Sequence, residues 1–252
     1  MAKPPEREVL PTVQRLRLRY AKRGPLKFSS HRDFQRAFER AVRRVGVPMA
    51  YSAGFSPHPK ISYANAAPTG TASEAEYVEI GLTRRIDPAE LVKALATAMP
   101  AGLAIEDAVE ARVPEFATRL EAGLWRIELP NWSQADAEAA VAGFLAATEV
   151  EVTRGTKNGP RTFDARAAVL DLACEGVGTT EGGVPYAILR LLLRHLTPSV
   201  RPDDVLNAIC LVARLDPVLT PRVTRLAQGP LTADGNGVLD PLEADRRAIQ
   251  EG

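Results

Sequence analysis

Two histidines stand beside lysines in the first quarter of the chain, in Lys27-Phe-Ser-Ser-His31-Arg-Asp33 and in Gly54-Phe-Ser-Pro-His58-Pro-Lys60. An imidazole titrates near neutrality, and a lysine carries a steady positive charge. Such groups together hold phosphate. Metal-free RNA cleavage needs a proton acceptor for the 2′-OH, a proton donor for the leaving oxygen, and cations for the phosphorane. His31, His58, Lys27 and Lys60 supply those groups. Nothing in their spacing shows that they converge, so His31 and His58 stand as catalytic candidates and the enzymatic question stays open. Ser30 opens a helix start, where free N–H groups and the positive dipole end attract anions. Phe55 lies in a loop stiffened by two prolines around His58, and base–aromatic stacking is worth about 1–3 kcal/mol.

The charge around these motifs is lopsided. Residues 1–65 hold fourteen Lys/Arg and four Asp/Glu, a net +10 that leaves −9 for the rest of a chain whose net charge is +1. A segregated field of this size points to nucleic acid as partner. The anion-binding candidates are Arg17, Arg19, Lys27, Ser30, His31, Arg32, Arg36, Arg40, Arg43, Arg44, Phe55, His58 and Lys60. Arg161, Arg166 and Arg201 join them from the second half.

These residues need elements to position them. Val13–Tyr20 alternates apolar and basic residues, which predicts a half-buried strand with arginines on one face. Ser30 and Asp33 form a capping box. Behind it Phe34, Ala37, Phe38, Ala41, Val42 and Val45 recur at helical spacing, and Gly46 ends the helix. Arg36, Arg40, Arg43 and Arg44 fall off that stripe. Val47–Ala53, Ile61–Asn65 and Glu76–Leu82 read as strands. Asp87-Pro88 starts a second helix, and Leu103–Val109 reads as the strand after it.

The second half repeats the order. Leu124–Leu129 is a strand, and Ser133 caps a helix. Val150–Thr153, an Asn158-Gly159 turn and Thr162–Ala173 read as a hairpin. Tyr186–Leu196 is a strand that carries His195 on its apolar face. Arg201-Pro202 opens a helix, with Ser199 as an alternative cap, and Val218–Leu226 closes. The expectation is an α+β chain, a tandem pair of ferredoxin-like βαββαβ units. Its parts are a flexible arm at 1–12, a basic N-terminal unit at 13–115, a C-terminal unit at 120–228 and a mobile tail at 229–252.

Other classes find no support. Cys174 and Cys210 are far apart in apolar runs, read as free thiols of a reducing, cytoplasmic compartment. No Cys/His spacing suits a metal, and no cofactor is expected. No apolar run reaches a membrane span, and Met1–Arg7 has no apolar stretch of a secretory signal. G-x-x-x-x-G-K-[ST], G-x-G-x-x-G, H-E-x-x-H and G-x-S-x-G are all missing.

Phe28-Ser-Ser-His-Arg-Asp33, Arg43-Arg44, Gly54-Phe-Ser-Pro-His-Pro-Lys-Ile-Ser62 and Ser73-Glu-Ala-Glu-Tyr77 resemble the radical-SAM-associated domain family of unknown function. The resemblance covers roughly residues 13–225. That family is found fused behind radical-SAM proteins or, as an actinobacterial type, free-standing. Its usual Ser-His-Leu-Asp is here Ser30-His31-Arg32-Asp33, which adds charge. With two cysteines the chain lacks the three-cysteine cluster of a radical-SAM catalytic domain, so the resemblance implies service in trans. The tandem layout is also similar to that of CRISPR repeat-processing endoribonucleases, although fold is poor evidence of function. The expected function is an RNA-binding accessory protein linked to RNA modification or processing and to radical-SAM proteins, non-catalytic alone. The alternatives are a metal-independent endoribonuclease using His31 or His58, and a protein-binding adaptor for a radical-SAM enzyme.

Overall fold

Apolar residues recur with period two or with helical period along the chain, and the elements follow that alternation. The computed structural model describes residues 10–157 and 159–251. Residues 1–9 of the expected arm, and Asn158 of the expected turn, lie outside the described residues. In chain order the elements are β1 (Gln14–Lys22), α1 (His31–Arg44), β2 (Ile61–Ala64), β3 (Ala72–Leu82), α2 (Pro88–Ala98), β4 (Ile105–Glu110), β5 (Ala122–Pro130), α3 (Gln134–Ala146), β6 (Glu151–Thr156), β7 (Gly159–Asp164), β8 (Val169–Thr179), β9 (Pro185–Arg194), α4 (Pro202–Ala213), β10 (Arg222–Gly229) and α5 (Glu243–Gln250). The architecture is mixed α+β, with mostly antiparallel pairing. The chain divides into two units, one of Met1–Thr69, Ala75–Ala117 and Leu242–Gly252, the other of Gly70–Glu74 and Thr118–Pro241.

In the first unit the strands run β4-β1-β3, and β2 pairs with β3. β1 meets β4 antiparallel, Leu16 opposite Glu110 and Leu18 opposite Ala108. Leu16, Leu18 and Tyr20 of β1 bury against Phe34 and Phe38 of α1 and Leu91 and Leu95 of α2. Tyr20 and Phe34 stack at 3.9 Å. Burial of each such side chain is worth about 1.5–3 kcal/mol. α2 starts where the sequence predicts it. Asp87 Oδ1 accepts the N–H groups of Ala89 at 2.8 Å and Glu90 at 3.0 Å, and Pro88 fills the first position, where no N–H is needed.

Two expectations for this unit are corrected. Val47–Ala53 is not a strand: it makes only the isolated bridges Met49↔Leu82 and Tyr51↔Pro59, and Pro48 interrupts it with a residue that has no N–H to donate. The described part of the expected tail, residues 229–251, is held by contacts. Leu231 bridges Val238 within the second unit, and α5 belongs to the first. Leu242 and Asp245 are fully buried. The Gly/Asp-rich composition hides a carboxylate that has buried partners.

In the second unit the order is β10-β5-β9-β8, with β6 and β7 as a separate hairpin. Ala72 and Ser73 run parallel to Thr224 and Arg225 of β10. Trp125, Ile127 and Leu129 of β5, Phe144 of α3, Leu189 and Leu191 of β9, and Val205 and Ile209 of α4 form its core. The expected strand Thr162–Ala173 is split in two. Asp164 accepts the N–H groups of Val150, Arg166 and Ala167, which turns the chain and ends β7. β8 then pairs with β9.

Candidate functional site

α1 carries the most concentrated charge of the first unit. Its apolar stripe, Phe34, Ala37, Phe38, Ala41 and Val42, is buried. At 100° per residue the opposite side holds Arg32, Arg36 and Arg43 within about 40°, with Arg40 and Arg44 beside them. All five are exposed. From Arg32 to Arg43 the stripe runs about 17 Å along the helix. Glu39 flanks it, but its contacts are weak: Gln35 donates to Glu39 at 3.0 Å, and Arg43 reaches it only at 4.0 Å with a side chain 70% exposed. Ion pairs of that kind contribute about 0–1 kcal/mol, so the guanidiniums keep most of their charge for a ligand.

Beside the stripe lies a groove of about 440 Å³. Ala37 and Ala41 of α1 keep its wall low between Arg40 and Arg44. Thr97, Ala98, Met99 and Pro100, at the end of α2, form the facing side.

The helix start itself is closed by its own residues. Ser30 Oγ accepts the Asp33 N–H at 3.2 Å, and Asp33 Oδ2 takes the Ser30 N–H at 3.0 Å and the hydroxyl at 2.7 Å. The Ser30 hydrogen bonds hold the Asp33 carboxyl below the usual carboxylate range. A negative charge therefore occupies the place a phosphate would need. Ser30 thus acts as the cap of α1. His31 and Arg32 are exposed in the first turn. The His31 ring stands edge-on to Tyr63 of β2, at 4.5 Å. Tyr63 is pushed above the usual phenol range by burial and by Glu39.

The Gly54–Lys60 motif forms the end of a hairpin. The Ser52 N–H donates to the His58 carbonyl at 2.8 Å, the His58 N–H donates to Ser52 Oγ at 3.0 Å, and the Lys60 N–H donates to the Ala50 carbonyl at 2.7 Å. Gly54 turns the tip at φ +120°, a backbone that only glycine adopts cheaply. Phe55 is 95% exposed there, and His58 is exposed. Lys60 Nζ donates to Thr12 Oγ1 at 2.9 Å. His31 and His58 are thus tied to different ends of one stretch, His31 to Tyr63 inside β2 and His58 to Ser52 on the hairpin that leads into it.

The remaining candidates fall elsewhere. Arg17 is buried, not presented: its guanidinium lies 2.9 Å from Glu79 and 2.7 Å from Asp245, over the Phe116 ring. That corrects its assignment to an anion-binding face. Arg19 is half-buried in β1, opposite Asp107 of β4. Lys27 Nζ sits 5.1 Å over the Phe28 ring. In the second unit Arg161 is exposed on β7, opposite Arg154. Arg166 is half-buried and donates to the Val169 carbonyl at 3.1 Å, beside the Phe144 ring. Arg201 is exposed at the start of α4, where its own N–H donates to Asp204 Oδ2 at 2.8 Å. Ser199 does not cap α4; its carbonyl accepts from Arg154.

Sequence reasoning missed Phe28, the groove and Tyr63. Phe28 is 64% exposed. It stands outside the helical stripe that begins at Phe34, which is the signal that separates it from the core.

The chain matches the family described as an uncharacterized protein conserved in bacteria (DUF2344) over residues 15–202. No curated protein matches it.

Proposed function

We propose that this chain, which belongs to the DUF2344 family of uncharacterized bacterial proteins, is an RNA-binding accessory protein that does not act as a catalyst alone. The observation that carries the reading is the stripe of five exposed arginines on α1. Phosphate neutralisation by such side chains releases counterions and supplies sequence-independent affinity. Arginine in particular offers a planar fork of donors that matches phosphate oxygens.

The partner we infer is an RNA-processing or radical-SAM protein acting in the cytoplasm. The Gly54–Lys60 motif supports the radical-SAM association by its resemblance. The two cysteines, unpaired at 174 and 210, agree with a reducing compartment. We read the units as a tandem of ferredoxin-like βαββαβ folds. Supporting this, the strands of each take the same order, β4-β1-β3-β2 in one and β10-β5-β9-β8 in the other, with β6–β7 as an insertion.

The test is a titration of labelled RNA with the full chain over a range of salt. The logarithm of the association constant falls linearly with the logarithm of salt concentration. Binding that ignores salt, or no binding to any RNA at low salt, overturns the reading. RNA recovered at full length supports the accessory role. Cleavage that His31→Ala or His58→Ala abolishes would replace it with the endoribonuclease reading.

A further inference from the structure

Three features of the first unit go unused by phosphate contacts alone. Phe55 is 95% exposed at the tip of a hairpin whose backbone is pinned at Ser52, His58 and Lys60. Phe28 is 64% exposed, two residues before the cap of α1, with the Lys27 ammonium 5.1 Å from its ring centre. The groove of about 440 Å³ has small or apolar residues between two arginines. Phe55 and Phe28 lie outside the core, Phe28 with the Lys27 ammonium beside it, and the groove is lined by the outer edge of the core residues Ala37, Ala41 and Met99 together with Arg40 and Arg44.

We propose that the RNA bound here is single-stranded, with unstacked bases lying on Phe55 and Phe28 and in the groove beside Arg40 and Arg44. This rests on the RNA-binding reading and narrows it. A duplex turns its base faces inward and offers phosphates and 2′-OH groups. The arginine stripe satisfies phosphates of either form, but the exposed rings have no partner on a duplex. A single strand presents a π-face with every base, and alternating aromatics and cations are what such a strand requires. The groove adds to this. Its alanine wall is low, and a guanidinium plane at its rim can stack on a base. Charge complementarity fixes the occupant, because Arg40 and Arg44 at the rim meet the phosphates on either side of the base.

The pinned hairpin matters as well. The Ser52–His58 bonds hold the tip before any ligand arrives, so little ordering entropy is lost when a base lands on Phe55.

The experiment compares the full chain's affinity for a short unstructured oligouridylate with its affinity for a blunt RNA duplex of the same length, at one salt concentration. The single strand is expected to bind about tenfold tighter or better. Phe55→Ala and Phe28→Ala each weaken it about 5- to 150-fold, the range that loss of one stacked base implies. Duplex affinity and salt slope stay unchanged, and Phe55→Trp retains single-strand binding. Equal or tighter binding of the duplex, or indifference of the single strand to both alanine variants, overturns this inference while RNA binding itself stands. Failure of both RNAs to bind overturns the two readings together. Both aromatics are exposed, so their replacement leaves the fold intact.

Discussion

Both carboxylate oxygens of Asp245 lie 2.7 Å from one guanidinium nitrogen of Arg17, although 228 residues separate the two along the chain. Asp245 also accepts the backbone N–H groups of Arg112 and Val113 at 2.9 Å each. Arg17 in turn meets Glu79. A short C-terminal helix thereby closes the back of β1 with a buried, fully bonded ion pair. The arrangement explains why Arg17 is unlike the other arginines of the basic first quarter. Its charge is engaged inside the unit.

Asp245→Ala should therefore destabilise the first unit by up to about 3–5 kcal/mol, the range for breaking a buried ion pair, because Arg17 keeps only Glu79 and the N–H groups of Arg112 and Val113 lose their acceptor. Urea unfolding followed by circular dichroism measures it. The pH dependence has a definite sign. Burial alone would raise the Asp245 carboxyl, but the N–H groups of Val113 and Arg112 and the Arg17 guanidinium outweigh it and hold the group below the usual range. Its stabilisation is present above about pH 3.9 and is lost as pH falls through the lower folded value. Wild type should lose more stability below pH 4 than Asp245→Asn does.

The arginines of α1 should behave in the opposite way. Arg36→Gln, Arg40→Gln and Arg44→Gln remove exposed charges, and surface changes of this kind stay within about 0.5 kcal/mol of wild-type stability. Each should lower the salt slope of single-strand binding by about 0.7. Anisotropy titrations at several salt concentrations, with a thermal melt of each variant, separate the two effects. An unchanged slope across all three variants would remove α1 from the interface.

Ser30 tests whether the helix start is a cap or a ligand site. Ser30→Ala removes the hydroxyl that accepts the Asp33 N–H, which should cost about 1 kcal/mol of stability. RNA affinity, measured well below the melting temperature, should not change, because Asp33 already fills the anion position. A loss of affinity with intact stability would assign Ser30 to the ligand.

Much of this could be read from residue types. The cap at Ser30, the apolar period from Phe34 and the outward set of arginines are local facts, and helical geometry carries them into space unchanged. Arg17 was different. Alternation in β1 puts it on the face away from Leu16 and Leu18, and alternation cannot say whether that face meets water or a later segment. The covering residue, Asp245, lies in a stretch whose glycines and aspartates read as loose chain. Phe55 failed to declare itself for a related reason. A phenylalanine between glycine and proline fits a core plug or a displayed tip equally well, and only the Ser52–His58 bonds decide. The missed break at Asp164 comes from a carboxylate that bonds three N–H groups, which periodicity does not register.

His195 offers a further test in the second unit. Its Nδ1 donates to the Leu120 carbonyl at 2.7 Å. Burial, aided by the nearby Arg225 charge, holds the imidazole below its ordinary range despite that bond. The folded protein thus keeps a neutral ring where the unfolded chain takes a proton. Stability that is complete above about pH 6.5 should decline as pH falls toward the lower folded value. His195→Asn should flatten the profile below about pH 6.5. The packing around the ring sharpens the test. A methyl group built on Gly123 would stand 2.9 Å from Trp125 Nε1 and 3.3 Å from His195 Nε2. Gly123→Ala must push the indole or the imidazole aside, at about 1–3 kcal/mol for an overpacked site. A displaced imidazole that gains water titrates closer to its ordinary value. The variant should then be less stable at neutral pH and less sensitive to acid, and urea midpoints at pH 7.5 and 5.5 measure both. If Gly123→Ala keeps the wild-type acid sensitivity, the indole has moved and the imidazole has not; if His195→Asn keeps it, the titration belongs to another group.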